Sequence, residues 1–524
     1  MRRIASTLAA VLAAALLVPS PGLAASVFRI SNMTEPETLD PALASGVPEH
    51  RIISSLFEGL YANDPKDLSP VPGVALRHTL SKDGTVYTFT LNPQARWTNG
   101  RQVTADDFVY AWERVLNPKT GAKYAQQLYY VKNGEAYNRG TITDFGLVGV
   151  KALNQTTLQV TLERPTAYFL YLTTFYTLYP VPKEAVERHG ADWTKPGRIV
   201  SNGPFRLVEW VPQQTLVLEK NPGYWDAGSV ALDRVVFDPT TDVNTVVRQF
   251  QAGETDWVTS SANLPAALVA VWKDRPEYYA EPYLGTYYFR MNVTRPPLND
   301  VRVRKALSMA IDREALTRSV TRAGEIASSA FVPRNMPNYS GVKGLDFDPA
   351  EAKRLLAEAG YPGGKGFPPV ELMYNTNELH RIITQALQQM WKRHLGIEVT
   401  LTNVEWKVYL ARMKALDYQI ARAGWIGDYV DPNTFLDMWV TGGGNNQTGW
   451  ANARYDALIR KAAETVDPEA RMKTLREAET VLVREELPIA PVFTYVSKGL
   501  IRRSFDGFHP NILDQHPLKA IRPR

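Results

Sequence analysis

The chain has 524 residues, with 59 Lys and Arg against 54 Asp and Glu, and no cysteine. So balanced a charge, with the basic residues scattered, argues against a nucleic-acid partner. The absent cysteines exclude disulfides and thiolate metal sites, so a fold of this length rests on its buried core.

Arg2 and Arg3, an Ala/Leu-rich run over residues 4–18 and a small-residue exit read as a secretory signal peptide over residues 1–25, cut after Ala24 or Ala25. Removing Arg2 and Arg3 takes the 59 basic residues to 57, against 54 acidic ones. No other run approaches the ~20 apolar residues of a membrane span. The expectation is an exported, soluble protein in a bacterial periplasm, with no lipid-modified cysteine to tether it.

A short strand at 27–30 leads to a loop turning at Asp40-Pro41 and to helical periodicity over 49–61. Asp83-Gly84 is a hairpin-type turn before a β-rich run at 86–91. Thr104 is a good N-cap, with Asp106 and Asp107 in the first turn of a helix running to about Val115. Strands follow at 155–163, 205–210 and 215–219, then a helix at 242–252 stopped by Gly253, and a strand at 255–258. Residues 283–292 form a long strand that reads as a crossing between domains. Helical patterns occupy 300–311, 313–321 and 349–359. A strand at 370–374, a helix at 378–395 and a strand at 397–402 give a βαβ-like alternation. Helices at 455–465 and 468–485 precede a last strand at 489–496.

Catalysis finds little support. The seven histidines are scattered, and neither HExxH, GxSxG nor a phosphate loop is present. Residues 442–446, Gly-Gly-Gly-Asn-Asn, read as a flexible turn. The pair Asp106 and Asp107 is accounted for by its helix start. No cofactor and no metal are expected.

The stretch 417–429, DYQIARAGWIGDY, begins as a strand and breaks at Gly424 and Gly427. It would set an open backbone edge, an indole and a carboxylate side by side. Such an edge can pair an extended peptide while the carboxylate anchors its ammonium. The plainer reading makes Trp425 a core residue and Asp428 a turn or cap residue.

Many segments, in shared order along the chain, resemble one family. They include EPETLDPALASGVPEH, LFEGLY, DGTVYTFTL, ARWTNG, VTADDFVYAWERV, NGPFRL, NPGYWD, YLGTYYFRMN, NDVRVRKALSMAIDR, LMYNTNELH, NVEWK, ARAGWIGDY and LPIAPVFTYV. These resemble the extracytoplasmic solute-binding proteins of family 5, the oligopeptide-binding components of ABC importers. The resemblance implies an α/β fold like the type II periplasmic binding proteins, with two lobes joined by a two-segment hinge and an additional domain. The first lobe would comprise 26–61, 187–286 and 495–524, the additional domain 62–186, and the second lobe 287–494. The crossings would fall near 285–292 and 489–496. A monomer would close on a short peptide and deliver it to an ABC permease in the inner membrane.

The resemblance also implies roles. Asp428 is similar to the aspartate that pairs with the peptide's ammonium. Gly424 and Val47 match backbone positions that sandwich the peptide in β fashion. Tyr124 matches an aromatic fixing its N-terminal end, and Trp406 and Trp425 look like pocket walls. His380 and Arg422 resemble groups that take the peptide C-terminus. Against these stand a helix-surface His380, a core Trp406, an ion-paired Arg422 and a packing Tyr124. Ser45 departs from a family glutamate, Gly285 and Ile426 from two cysteines, and Met413 from an arginine near the cleft, with Arg412 beside it. Alternatives are a murein tripeptide or dipeptide receptor and, from another class, a secreted peptidase.

Overall fold

Strands rich in Tyr, Phe, Thr and Val supply the frame of the molecule. A computed structural model describes residues 25–262 and 264–524. Apart from Ala25, the segment read as a signal peptide lies outside the described residues. Among these, eleven strands join one mixed sheet. Its order runs Val399–Val404, Val370–Asn375, Ile420–Ile426, Tyr278–Met291, Ile489–Ile501, Trp257–Val258, Val27–Ser31, Arg234–Asp238, Thr215–Lys220 and Phe205–Val211. Ile326–Ala327 pairs with Ile489–Ile501 off this path.

The two longest strands, Tyr278–Met291 and Ile489–Ile501, run antiparallel through the middle and contain the stretches where the crossings are expected. Their ladder is interrupted between Pro282 and Thr286, where three residues pass without a ladder partner on that side. A register shift of this kind bends a sheet locally.

A separate four-stranded antiparallel sheet orders Ala75–Leu80, Val86–Leu91, Thr157–Thr161 and Val150–Asn154. The helix Ala105–Leu116 covers it, burying Phe108, Ala111, Trp112 and Val115. Its start is fixed as expected: Thr104 caps it in a reciprocal box with Asp107, whose carboxylate accepts from the Thr104 N–H at 2.9 Å.

The expected βαβ alternation is built from the parallel strands Val370–Asn375 and Val399–Val404 and the helix Glu378–Leu395. Gly396, at φ 72°, ends that helix in the left-handed region that glycine reaches without strain. Ile383, Leu387 and Trp391 pack on the sheet, and the Trp391 indole donates to Leu307 O at 2.9 Å. Each such buried side chain contributes roughly 1.5–3 kcal/mol.

Three of the differences from expectation have a clear local cause. The first helix is Val47–Leu56, not 49–61, because Pro48 suits a first turn and the chain turns extended at Phe57. The helix expected at 468–485 ends at Thr480 and continues as a wider π turn, Val481–Glu486. The strand Ile420–Ile426 does not break at Gly424: that glycine pairs with Tyr287 and the ladder carries through.

Candidate ligand-binding cleft

The strand Ile420–Ile426 pairs along its whole length with Tyr278–Met291 on one side. On the other it meets Val370–Asn375 at Ile420 and Ala421 alone. The Gly427 N–H donates to Leu284 O at 2.8 Å, so the odd-numbered residues aim their main-chain groups at the central strand. Alternation then turns the N–H and C=O of Arg422, Gly424 and Ile426 to the open side. The Tyr409 hydroxyl donates to Arg422 O, which leaves Gly424 and Ile426 as a backbone edge without a partner among the described residues.

Asp428 stands at the end of that edge. Its N–H donates to Thr434 Oγ1 at 3.0 Å, and no cation lies within ion-pair distance of its carboxylate among the described residues. The side chain opens on a cavity, yet protein surrounds it otherwise, and this burial raises the carboxyl to about 6. The cavity holds about 300 Å³. Tyr124, Tyr176 and His50 form one wall, the helix start at Gly46 and Val47 another, and the segment 513–519 a third. Tyr124 meets Phe175 edge-on at 5.2 Å and Tyr176 at 6.3 Å. Burial, then the charge of Arg51, hold His50 near 4, so its imidazole is neutral.

More acid lies behind Asp428. Asp431 is paired with Arg471 at 2.6 Å. Asp437 is raised to about 7, first by burial and then by the charges of Asp428 and Asp431. Nearby, Tyr168 stacks on Tyr429 at 4.9 Å and its hydroxyl lies 3.2 Å from Asn433 Nδ2, so the smaller-sheet region meets the Asp428 loop.

Arg422 and His380 form a different cluster. Arg422 donates to Tyr495 Oη at 2.8 Å and to Asn375 Oδ1 at 3.4 Å, and its guanidinium lies 4.6 Å from the Tyr287 ring centre. His380 is buried 3.5 Å from Tyr287 Oη. Burial, then Arg422, push its imidazole down to about 3. His380 is therefore neutral, and Arg422 carries the positive charge of this cluster.

Of the residues singled out in the sequence, Asp428, Tyr124 and Val47 line one cavity. Gly424 and half-buried Trp425 lie on the strand between it and the Arg422–His380 cluster. Val47 opens a helix rather than a strand, so it offers one free N–H of a helix start. Trp406 begins the helix Trp406–Lys414, but the role expected of its side chain lies outside the described residues. Met413, expected near the cleft, is buried in a small core with Met373 and Tyr418, and Arg412 is paired with Glu371 at 2.9 Å. Gly285 and Ile426 face each other across the ladder. A Cβ on Gly285 would stand 2.3 Å from Ile426 Cδ1, so these two departures complement one another.

Sequence reasoning missed Arg51, Glu58, Asp514, His516 and Lys519, which also line the cavity. Arg51 left one faint signal, a basic residue directly before Ile52 and Ile53.

Comparison with known proteins follows this geometry. Residues 69–447 match the model described as bacterial extracellular solute-binding proteins, family 5 (middle). The chain is 38% identical over 494 residues to the oligopeptide-binding protein OppA of Bacillus subtilis, covering 92% of this chain and 90% of that protein. It is 36% identical over 493 residues to the periplasmic oligopeptide-binding protein OppA of Salmonella typhimurium, covering 91% and 89%. The solved structure of the periplasmic murein tripeptide-binding protein MppA, in its unliganded open form, superposes with a TM-score of 0.84 at 35% identity, covering 96% of this chain and 98% of that one.

Proposed function

The chain belongs to the bacterial extracellular solute-binding proteins of family 5, and from that premise we propose that it is a receptor for short peptides. Its fold is that of the type II periplasmic binding proteins, and family members are binding proteins. In this reading the protein is exported to the periplasm, acts as a monomer without a cofactor or catalysis, and delivers its cargo to an ABC permease in the inner membrane. The lobes are 26–61 with 187–286 and 495–524, and 287–494, with 62–186 as the additional domain. Closure bends the central strand pair where its ladder is interrupted.

The observation that carries the reading is Asp428, an uncompensated carboxylate at the end of an unpaired strand edge. A peptide's free ammonium supplies the missing charge, and its main chain pairs with Gly424 and Ile426. Arg422, with neutral His380 beside it, meets the far carboxylate, while Tyr124, Val47, Trp425 and Trp406 bound the ligand. Water in the cavity lets different side chains be accommodated.

The test is calorimetric titration of trialanine and N-acetyl-trialanine. Asp428→Asn is expected to weaken trialanine by about 2 kcal/mol or more, as for loss of one partner in a buried charge pair. The acetylated peptide, lacking the ammonium, changes little. Equal losses for both peptides would overturn the anchoring role.

Murein tripeptide is the second reading, favoured by the likeness to the murein tripeptide receptor. Native mass spectrometry separates the two: a ladder of mixed peptide adducts supports the first, and one adduct of murein tripeptide mass supports the second.

A further inference from the structure

Another part of the wall of the cavity that Asp428 opens on carries two basic side chains, Arg51 and Lys519, beside the acids Glu58 and Asp514. Arg51, on the helix Val47–Leu56, lines that wall and is 6% exposed. Its Nη1 donates to Asn32 Oδ1 at 2.7 Å, and its guanidinium lies 4.9 Å from the Trp257 ring centre. Its Nη2 has no hydrogen-bond partner, and no carboxylate lies within 4 Å of it among the described residues. A guanidinium stays charged in a protein, and leaving one of its donors buried and unpaired is costly.

The carboxylates on this wall are already engaged. Asp514 accepts from the Ser260 hydroxyl and lies 3.2 Å from His516 Nε2. Glu58 accepts from the Tyr224 hydroxyl, and from the Trp225 indole at 2.7 Å. Lys519 reaches the same cavity, 3.6 Å from Glu58 and 3.3 Å from Tyr224 Oη, with its side chain 24% exposed. His516 Nδ1 is a second buried polar atom there without a partner. The wall thus presents cationic donors that its own acids do not saturate.

We infer that this wall is a subsite for a carboxylate on the first side chain of the ligand, so that peptides beginning with Asp or Glu are preferred cargo. The inference rests on the peptide reading above. With the ammonium on Asp428 and the main chain running along the edge toward Arg422, the first side chain is the one that enters this cavity. Its carboxylate receives the Arg51 Nη2 donor and the Lys519 ammonium, giving charge-assisted bonds. The preference is for charge: a neutral amide of equal size accepts a hydrogen bond but adds no charge attraction to the guanidinium.

Titrations of the mature protein with Glu-Ala-Ala, Gln-Ala-Ala, Ala-Ala-Glu and Ala-Ala-Ala test this. Glu-Ala-Ala is expected to bind about tenfold more tightly than Gln-Ala-Ala, the value of one charge-assisted bond. Lys519→Met should reduce that ratio and Arg51→Met should abolish it. Arg51 is buried and its variant can fail to fold, so the wild-type peptide ratio and Lys519→Met decide the matter without it. Equal affinity for the Glu and Gln peptides, beside measurable binding of Ala-Ala-Ala, overturns the subsite and leaves the receptor reading intact. An equal preference for Ala-Ala-Glu overturns the placement at the first residue. Failure of all four peptides to bind overturns both the receptor reading and the subsite.

Discussion

The carboxyl of Asp428, raised to about 6 by burial, titrates in a range where peptide affinity can be measured. The free protein holds it protonated below that value, whereas a bound ammonium favours the ionised form and lowers its pKa. Affinity is therefore fully present well above pH 6 and is lost as pH falls through it, by up to about tenfold per pH unit. His50 near 4 and His380 near 3 stay neutral through this window and add nothing to the slope. Asp437, raised to about 7 chiefly by burial, titrates close by, so Asp437→Asn is the control that should keep the slope. Calorimetry of trialanine from about pH 7.5 down to about pH 5 is expected to show the loss in the wild type and a flat profile in Asp428→Asn. A flat wild-type profile would mean that no ammonium is bound at Asp428.

Among the elements, the strand Ile420–Ile426 carries most of the site, and Gly424 is its narrowest point. A Cβ there would stand 2.6 Å from Tyr495 Oη and 3.2 Å from Arg422 Nη2. Gly424→Ala must displace the Arg422–Tyr495 pair, costing about 1–3 kcal/mol by overpacking. The expected outcome is weaker peptide binding and a Tm lower by a few degrees, read by titration and by thermal unfolding. Unchanged affinity would show that the edge at Gly424 does not meet the ligand. Much of this architecture was legible because local chemistry and fold agree. Thr104 with Asp107, and Gly253 and Gly396 after their helices, mark helix ends that the structure keeps. The helix Glu378–Leu395 was readable to the residue. The strand break at Gly424 was misjudged because a glycine inside a paired strand has the same composition as one in a turn, and Tyr287 across the ladder decides between them. Within the site, Asp428 and the edge stood out through Gly-Trp-x-Gly-Asp. Arg51 and Lys519 did not, because nothing local distinguishes a buried arginine over Trp257 from a solvated one.

For the molecule as a whole, the arrangement ties binding to shape. Asp428 and the strand edge lie on one side of the interrupted ladder, while Val47, Arg51 and Lys519 belong to segments packed on the other. A ligand that touches both sides favours the closed arrangement by its differential affinity for it. Saturating trialanine should therefore reduce the radius of gyration in small-angle scattering. It should also stabilise the fold, by about 2.7 kcal/mol at a ligand concentration of 100 Kd. Binding without contraction would sink the closure. The third wall of the cavity carries a different consequence. It is made by residues 513–519, held where Leu284 N–H donates to Ile512 O at 2.6 Å and Asn63 donates to Gln515 at 2.7 Å. Loss of these two bonds would open the cavity on that side while leaving Asp428 and the strand edge in place.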